Sequence, residues 1–556
     1  TNFRMGAGTM LNCTVKGAGM MIFGWCSPDG MTFNPVASNT IISESAWIDL
    51  RANGTFIDTY MDGGRIYLSG VASSTVLDGG FIEVTGGTLY DINMNGGYIK
   101  LASNNGVTID GGNFTGGELY YTDNGGTVKN VTAVNTKLTG ANAASYLSVA
   151  ALANFENVTW NGYTLNETSA YISNGSLLNN LDAKTLKFLI VDDSTFIMYA
   201  DGLVENITIK GESGWIQTTN GTLNNVTIEN GRLEAMGTTK VNKVSIVGKG
   251  YQEAWHDGST LVAFGSSVID DVEIAAGGSA HVYETSQVSN ITVKDGGVLR
   301  MEGWSTDKVY SGTVDGVTVE AGGKMVFGHY DTTSGTATIK NTTIEEGGML
   351  QITGHDFSLE NFVINYGGSE YLVTVDAENK TIDGLVLAEG SIYNGFGEND
   401  THGLTNVVVI EGGSINDMSL NSNVSGEFFF TDGSSQTLDI SGGEVKSFVV
   451  ANGAVLYGSA DGTMNNVTIL DGGSLAGLTM STNLTGKYVY ADGSQLEFYI
   501  QDGAEGREAK NLVFNGTAFS LDSGKAENIT MNGATLIASN ASATGVILAN
   551  GASLMI

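Results

Sequence analysis

A short motif recurs along this chain at intervals close to 22 residues, and it limits the fold more than any other feature. Copies include "GTLNNVTIENGRLE", "VSNITVKDGGVLR" and "AENITMNGATLIA". A repeat of this length is typical of solenoids, in which each unit packs mainly on its two neighbours. Equivalent turn glycines are separated by 19, 26, 25, 20, 22 and 23 residues, and they are Gly278, Gly297, Gly323, Gly348, Gly368, Gly390 and Gly413.

Inside each unit the apolar residues have a period of two. In "NVTIL", Val467 and Ile469 point to one side of the chain and Thr468 and Leu470 to the other. Short strands of this kind end at Gly-Gly or Asn-Gly turns, and a unit with two or three of them has no room for a helix longer than one turn. The sequence therefore predicts an all-β solenoid with coils of 19 to 26 residues.

The glycine and proline contents support extensive strand pairing. The chain has 78 glycines but only two prolines, Pro28 and Pro35. Collagens and disordered linkers are rich in both residues, so both classes are disfavoured. Because proline cannot donate a hydrogen bond to a sheet, its near absence indicates that most of the backbone is paired.

The repeats divide the chain into two regions. Residues 1–60 are predicted to form N-terminal coils with an irregular insertion that contains cysteine, tryptophan and proline. Residues 61–556 are predicted to form a continuous solenoid with Gly- and Asn-rich turns, less regular at 136–200. A longer repeat, in which the segment from Glu411 matches that from Asp471 at an offset of 60 residues, indicates duplication of whole coils.

The charge of the chain excludes one class of partner. There are 59 acidic and 25 basic side chains, a net charge of −34, and no cluster of lysine or arginine. Phosphate backbones are repelled by such a surface, so no nucleic-acid partner is expected. No apolar run reaches the roughly 20 residues of a membrane helix, so no transmembrane segment is predicted.

Asn-x-Ser/Thr triplets follow the phase of the repeat. They resemble glycosylation sites, but asparagine also tolerates the left-handed conformation in the turn before a strand, and threonine favours strands. The structural interpretation is preferred because these residues recur with the repeat. The predicted turn and strand positions are Asn12, Asn206, Asn225, Asn290, Asn466, Asn528, Gly278, Gly297, Gly323, Gly348, Gly413 and Gly473.

Aspartates before Gly-Gly pairs, such as Asp295 and Asp471, have an alternative interpretation as calcium ligands. Calcium binds six to eight oxygens, and the nonapeptide of the calcium-binding β-roll does not occur in the sequence. Other units carry Asn230 or Glu346 at the position of Asp471, which favours a turn residue. No metal or cofactor is predicted, with Ca²⁺ as the weaker alternative.

The two cysteines, Cys13 and Cys26, are too few for a disulfide framework or a four-cysteine zinc site. Cys13 occupies the position of Val226 and Val467 in other units, which predicts a small apolar core residue. A disulfide between Cys13 and Cys26 and a pair of free thiols both remain open.

Catalytic residues are not predicted. A polysaccharide-cleaving site would use paired carboxylates in a local departure from the repeat, but the five histidines are scattered singly. Asp192 and Asp193 form the nearest carboxylate pair, and adjacent strand residues face opposite ways. An enzyme is therefore the less favoured hypothesis.

The units "SNITVKDGGVLR" and "NNVTILDGGSL" resemble the short AIDA-type repeats in the passenger domains of bacterial autotransporter adhesins. The resemblance covers most of the chain and is clearest from about residue 200. It implies a right-handed parallel β-helix, outside the cell or on the outer surface of a bacterium, acting in adhesion, self-association or biofilm formation. The sequence shows no barrel translocator and has repeat units at both ends, so we expect a segment of a longer protein or a chain capped by a partner or by another copy of itself.

Three functions follow as hypotheses. The favoured one is a non-catalytic adhesive rod, whose partners would be other copies of itself or glycans or proteins of host or bacterial surfaces. The second is a structural subunit of a filament or surface layer. The third is a polysaccharide-acting enzyme or a protein like a phage tailspike. The sequence does not indicate which residues bind.

Overall fold

The computed structural model is an all-β solenoid, and no helix occurs among the residues that it describes. The fold class predicted from the sequence is thus confirmed. The structure describes residues 2–24, 34–102, 106–121, 126–140, 154–160, 163–173, 177–179, 185–198, 201–249, 260–275, 277–302, 311–328, 336–353, 357–376, 381–388, 390–394, 403–410, 413–416, 423–429, 437–440, 444–451, 455–458, 463–504, 506–516 and 518–555.

The chain divides into two compact units, Thr1–Asp270 and Asp271–Ile556. The strand Val268–Ala275 spans the boundary in the sequence. The other strands of the first unit are Asn2–Met5, Thr9–Val15, Met20–Phe23, Val36–Ile42, Trp47–Leu50, Thr55–Leu68, Val71–Ser73, Val76–Val84, Thr88–Met94, Tyr98–Leu101, Thr108–Phe114, Glu118–Tyr121, Thr127–Ala133, Lys137–Gly140, Asn154–Trp160, Tyr163–Ser173, Leu177–Asn179, Thr185–Leu186, Phe188–Asp192, Thr195–Met198, Leu203–Lys210, Trp215–Thr218, Thr222–Ile228, Arg232–Ala235, Lys240–Val247 and Leu261–Ala263.

The second unit is built in the same way from short strands. They are Ser279–Val282, Gln287–Val293, Val298–Glu302, Thr313–Val319, Lys324–Gly328, Ala337–Ile344, Met349–Thr353, Phe357–Tyr366, Ser369–Asp376, Thr381–Asp383, Val386–Leu387, Ile392–Asn394, Gly403–Val409, Ser414–Asn416, Asn423–Phe429, Thr437–Ile440, Glu444–Ala451, Val455–Gly458, Thr463–Leu470, Ser474–Ala476, Asn483–Val489, Gln495–Gly503, Gly506–Lys510, Val513–Asn515, Phe519–Leu521, Gly524–Glu527, Thr530–Asn532, Thr535–Ala538, Ala541–Thr544, Ile547–Ala549 and Ser553–Met555.

One coil of the first unit illustrates the architecture. Thr88–Met94 bends at Asp91, which has a φ of 51°, and a Gly-Gly turn then leads into Tyr98–Leu101. In the next coil, Thr108–Phe114 pairs in parallel with the first of these strands and Glu118–Tyr121 with the second. Two parallel ladders therefore run side by side: a corner ladder of bent strands and a wall ladder of straight ones.

Alternate residues of both ladders fill the interior. In this coil Leu89, Ile92 and Met94 of the bent strand and Ile99 and Leu101 of the straight strand are almost completely buried. A fully buried aliphatic side chain of this size contributes about 1.5–3 kcal/mol relative to an exposed one. Stacking of coils therefore supplies the hydrophobic driving force that one coil lacks.

Antiparallel strands interrupt the parallel ladders at three places in the part of the chain that the structure describes. One hairpin lies in the region predicted to be less regular, where Asn154–Trp160 pairs with Tyr163–Ser173. The other two insertions are meanders of three strands, and because their chain reverses twice, its last strand again runs parallel to the following coil. Those meanders are Phe357–Tyr366 with Ser369–Asp376 and Thr381–Asp383, and Asn483–Val489 with Gln495–Gly503 and Gly506–Lys510.

Each meander leaves one strand out of the wall ladder. Behind the first meander, Met349–Thr353 pairs directly with Ile392–Asn394, and the buried Leu350 N–H donates to the Ser391 hydroxyl at 2.9 Å. A side chain thus provides a hydrogen-bond acceptor at the point where the ladder skips a coil.

At the second meander a tyrosine of its first strand, Asn483–Val489, has the same role. Ser474–Ala476 pairs with Val513–Asn515 at a single position, and the Tyr488 hydroxyl accepts from the Val513 N–H at 2.9 Å and donates to the Val513 carbonyl at 3.3 Å. The ring packs on Phe498 with centroids 4.7 Å apart, and burial raises the pKa of the Tyr488 phenol. Tyr488 therefore bonds both backbone groups of one wall residue.

Candidate functional site

The six predicted asparagines all adopt the left-handed conformation. Their φ angles lie between 50° and 58°, a region that asparagine enters at lower cost than most residues. The bend lies inside the strand instead of before it, because ladder hydrogen bonds continue on both sides of the bent residue, as in Thr222–Ile228. The residues are Asn12, Asn206, Asn225, Asn290, Asn466 and Asn528.

The corner asparagines also bond to one another through their side chains. The Asn225 amide donates to the Asn206 oxygen at 2.9 Å, and the Asn39 amide donates to the Asn12 oxygen at 2.6 Å. Asn528 donates in the same way to Asn511 at 3.1 Å. These side chains therefore form hydrogen-bonded columns on the outside of the corner.

The six predicted glycines share one backbone role. The N–H of each donates to the carbonyl three residues earlier, so each is the last residue of a tight turn. In five of these turns the preceding glycine has a φ between 72° and 85°, as the third residue of a type II turn requires. The six are Gly278, Gly297, Gly323, Gly348, Gly413 and Gly473.

Packing explains the glycine at the end of the turn. A Cβ on Gly297, Gly323 or Gly348 would collide with a carbonyl oxygen of the preceding coil. The first glycine of the pair thus meets a requirement on φ, whereas the second provides the space that close stacking of coils needs.

Cys13 differs from its prediction as a core residue. It lies in register with the buried Thr40, but as a residue of the first corner strand it is only partly buried. Its thiol is free in the structure. Cys26 lies outside the described residues, so nothing tests the choice between a disulfide and two free thiols.

The carboxylates considered for catalysis are separated by their contacts. Asp192 pairs with the Lys210 ammonium at 3.1 Å, whereas Asp193 has a φ of 44° and accepts from the Ser213 N–H at 3.1 Å. The two side chains do not converge on one point. No group of three or more His, Cys, Asp or Glu side chains suited to a metal ion occurs within the described ranges.

A small notch lies beside the first meander, where one strand is missing from the wall ladder. Glu345 is the one carboxylate among its lining residues, and it accepts a hydrogen bond from the Asn365 amide at 2.9 Å. The side-chain amide oxygen of Asn365 is buried without a hydrogen-bond partner. This departure from the repeat offers polar groups, but not the pair of carboxylates that glycoside hydrolysis uses.

The wall ladder of the first unit carries a row of outward-facing residues that the sequence did not identify as a site. The first outward positions of five consecutive wall strands are in register along one column. The column contains Trp47, Arg65, Phe81, Tyr98 and Glu118. Trp47 is 43% exposed, Arg65 is also exposed, and the other three are partly exposed.

A second column runs two residues further along the same strands. It contains Asp49, Tyr67, Glu83, Lys100 and Tyr120. The two columns together form what we call the aromatic face. Half of its ten residues are aromatic and the other half are charged.

The side chains of the aromatic face contact one another closely. The rings of Phe81 and Tyr98 are nearly parallel with centroids 5.1 Å apart, and Tyr98 lies 5.8 Å from Tyr120. The Arg65 guanidinium lies over Phe81 at 5.7 Å, which is within the range of cation–π contacts. The face is therefore an ordered layer of side chains.

The charges on this face are also paired. Lys100 and Glu83 form an ion pair at 3.0 Å. Burial raises the pKa of the Tyr98 phenol, and nearby Glu118 raises it further, so the ring stays neutral at physiological pH. The face thus presents aromatic rings among three carboxylates and two cations.

The sequence contains the aromatic residues in the segments "WIDL", "RIYL", "FIEV", "YIKL" and "ELYY". These segments share a signal, because the second position of each is an isoleucine or leucine that is buried in the interior. Their first and third positions then form the outer columns once the register between coils is known.

Comparisons with known proteins give a likeness in structure but none in sequence. No family model and no curated protein matches the sequence. Among solved structures, the TibC-catalysed hyper-glycosylated TibA55-350 fragment is similar over 60% of this chain and 95% of that chain, with 16% identity and a TM-score of 0.26. The described residues include no helix with the length and hydropathy that a bilayer crossing requires.

Proposed function

We propose that this chain is a non-catalytic adhesive solenoid that acts through self-association at a bacterial cell surface or outside the cell. The observation that carries the proposal is the aromatic face. It exposes part of a tryptophan, a phenylalanine and three tyrosines on consecutive coils, and exposed apolar side chains in contiguous groups are typical of interaction surfaces.

The distribution of charge supports self-association at this face. Residues 1–140 contain 11 acidic and 7 basic side chains, a net charge of −4, whereas residues 141–556 have a net charge of −30. Two copies of a strongly acidic chain repel one another wherever their acidic surfaces meet. The first 140 residues are therefore the part in which two copies approach at the lowest electrostatic cost.

Display on cells tests the proposal. Bacteria that carry the chain on their surface should clump, and a variant with Trp47→Ser and Tyr67→Ser should reduce clumping at equal surface expression. A matched control is Tyr90→Ser, which removes an exposed tyrosine from the corner ladder. Equal clumping by cells with and without the chain contradicts the proposed function.

The main alternative function is that of a structural subunit of a filament or surface layer. Light scattering over a range of protein concentrations separates the two, because a filament grows in length with concentration whereas a chain with one self-associating face stops at a small oligomer.

A further inference from the structure

We infer that the aromatic face binds the same face of a second copy of this chain, with the order of coils reversed between the copies. The inference rests on the proposed self-association and identifies its surface and geometry. Its basis is the order of charged and aromatic residues along the two columns, which is complementary to its own reverse.

The first column shows this complementarity. A twofold axis parallel to the strands, passing between Phe81 and Tyr98, places each column opposite itself in reverse order. Phe81 then lies opposite the partner's Tyr98, and Arg65 lies opposite the partner's Glu118. Aromatic residues meet aromatic residues, and a cation meets an anion.

The second column obeys the same rule about the same axis. Glu83 lies opposite the partner's Lys100, and Tyr67 lies opposite the partner's Tyr120. One axis therefore matches four of the five residues in each column, and Trp47 and Asp49 at the ends of the columns lie beyond the matched part. A symmetric interface uses the same patch on both copies, so this self-complementarity is what a dimer requires.

A parallel arrangement of the two copies lacks this match. Its twofold axis runs along the solenoid and places each column opposite the other column of the same coil. Arg65 then faces the partner's Tyr67, and Glu118 faces the partner's Tyr120, so neither finds an opposite charge. The reversed order is therefore favoured by the charge pattern.

A sugar is a less suitable occupant of this face. Stacking on a sugar needs a free ring surface, but Phe81 and Tyr98 lie nearly parallel at 5.1 Å and partly cover each other. The face also carries opposite charges in alternation, which a neutral glycan does not use. A second copy uses both the rings and the charges.

The size of the face indicates a weak contact. Five coils at about 4.8 Å each give a length of roughly 19 Å between the first and last, and a four-residue strand is about 13 Å long. A standard stable interface covers about 800 Å² on each partner, so one such contact is small. Many copies on one cell surface can still hold two cells together, because many weak contacts formed at once bind more tightly than one contact alone.

Charge reversal tests the inference in the full-length chain under reducing conditions. Arg65→Glu and Glu118→Arg should each weaken self-association roughly tenfold in sedimentation equilibrium at low salt, because each places like charges in contact. The double variant should restore association, since the pair is then reversed in both copies. Lys340→Glu is the matched control and should leave association unchanged, because Lys340 lies in the second unit.

Three results overturn the inference. Single variants that associate as the original chain does would exclude this face while leaving self-association intact. A folded double variant that stays dissociated would exclude the reversed order of coils. Absence of association in the unmodified chain at millimolar concentration would contradict the proposed function itself. Thermal unfolding of each variant confirms that it is folded.

Discussion

Two Gly-Gly pairs only 20 residues apart have opposite effects on the chain. Gly347-Gly348 forms a corner between Ala337–Ile344 and Met349–Thr353, and the chain continues around the coil. Gly367-Gly368 joins Tyr366 to its antiparallel partner Ser369, and the chain reverses. The same dipeptide therefore continues the solenoid in one place and interrupts it in the other.

The backbone angles and the surroundings explain the difference. At the corner only the first glycine has a positive φ, of 84°, and the second packs against the Val319 carbonyl of the preceding coil. At the hairpin both glycines have positive φ, of 57° and 77°, as a type I′ turn requires, and no atom lies within 4 Å of the Cβ positions. The second glycine of the corner is thus required by packing, whereas both glycines of the hairpin are required by conformation.

The largest effect is expected from Gly348→Ala. The new Cβ would collide with the carbonyl oxygens of Val319 and Glu345, so the coils must separate locally. We expect a loss of about 3 kcal/mol in the free energy of local opening, the upper range for overpacking. Hydrogen exchange of the Met349–Thr353 amides measures this loss.

Gly368→Ala is the matched control for that substitution. It adds the same methyl group in open space, so only the left-handed φ opposes it, at a cost of about 1 kcal/mol. Equal losses for the two variants would show that packing does not distinguish the corner from the hairpin.

Ser391→Ala probes the wall behind the hairpin and should have the next largest effect. Its hydroxyl accepts from the buried Leu350 N–H, and removal of an acceptor from a buried donor costs about 2 kcal/mol. Exchange of the Leu350 amide should accelerate accordingly. Ser391→Thr retains the hydroxyl and should preserve protection, and unchanged exchange in the alanine variant would refute the role assigned to Ser391.

A smaller effect is expected at Asn341, where the strand Ala337–Ile344 bends. Asn341 has a φ of 46°, donates to Asp315 at 2.7 Å and accepts from Asn361 at 3.0 Å. Asn341→Ala should cost about 1 kcal/mol because alanine is strained in this conformation. Asn341→Gly relieves the strain but loses the same side-chain bonds, so calorimetry of both variants separates the two contributions. Equal losses would assign the effect to the hydrogen bonds.

The smallest change is expected from Gly367→Asn. Asn-Gly is a preferred type I′ sequence, and the position is open, so the variant should gain about 0.5 kcal/mol through reduced freedom of the unfolded chain. Thermal unfolding measures the gain. A loss of stability would show that the hairpin depends on contacts beyond its turn.

Much of the fold follows from the sequence alone. The period of two, the glycine turns and the absence of room for helices predict a β-solenoid, and that prediction is confirmed. The meanders could not be predicted in this way. In "INYGGSEYL" the glycine pair has the same appearance as in "IEEGGMLQI", and the choice between corner and hairpin depends on packing between coils.

The aromatic face shows a second limit. Successive members of its first column are 18, 16, 17 and 20 residues apart, so no fixed period connects them. Trp47 and Arg65 become neighbours only when the register between their strands is known. Sequence periodicity identifies what fills the interior, whereas the pattern on the outside depends on the variable lengths of the turns.

Tyr488, in the first strand of the second meander, has a consequence for how such chains change in length. One hydroxyl satisfies both backbone groups of Val513, so one wall can lose a strand while the adjoining ladder keeps three. Repeat arrays are usually thought to grow or shrink by whole units. Tyr488 shows that an array can also change by a fraction of a unit. The condition is that one polar side chain provides the hydrogen bonds that the missing strand would have made.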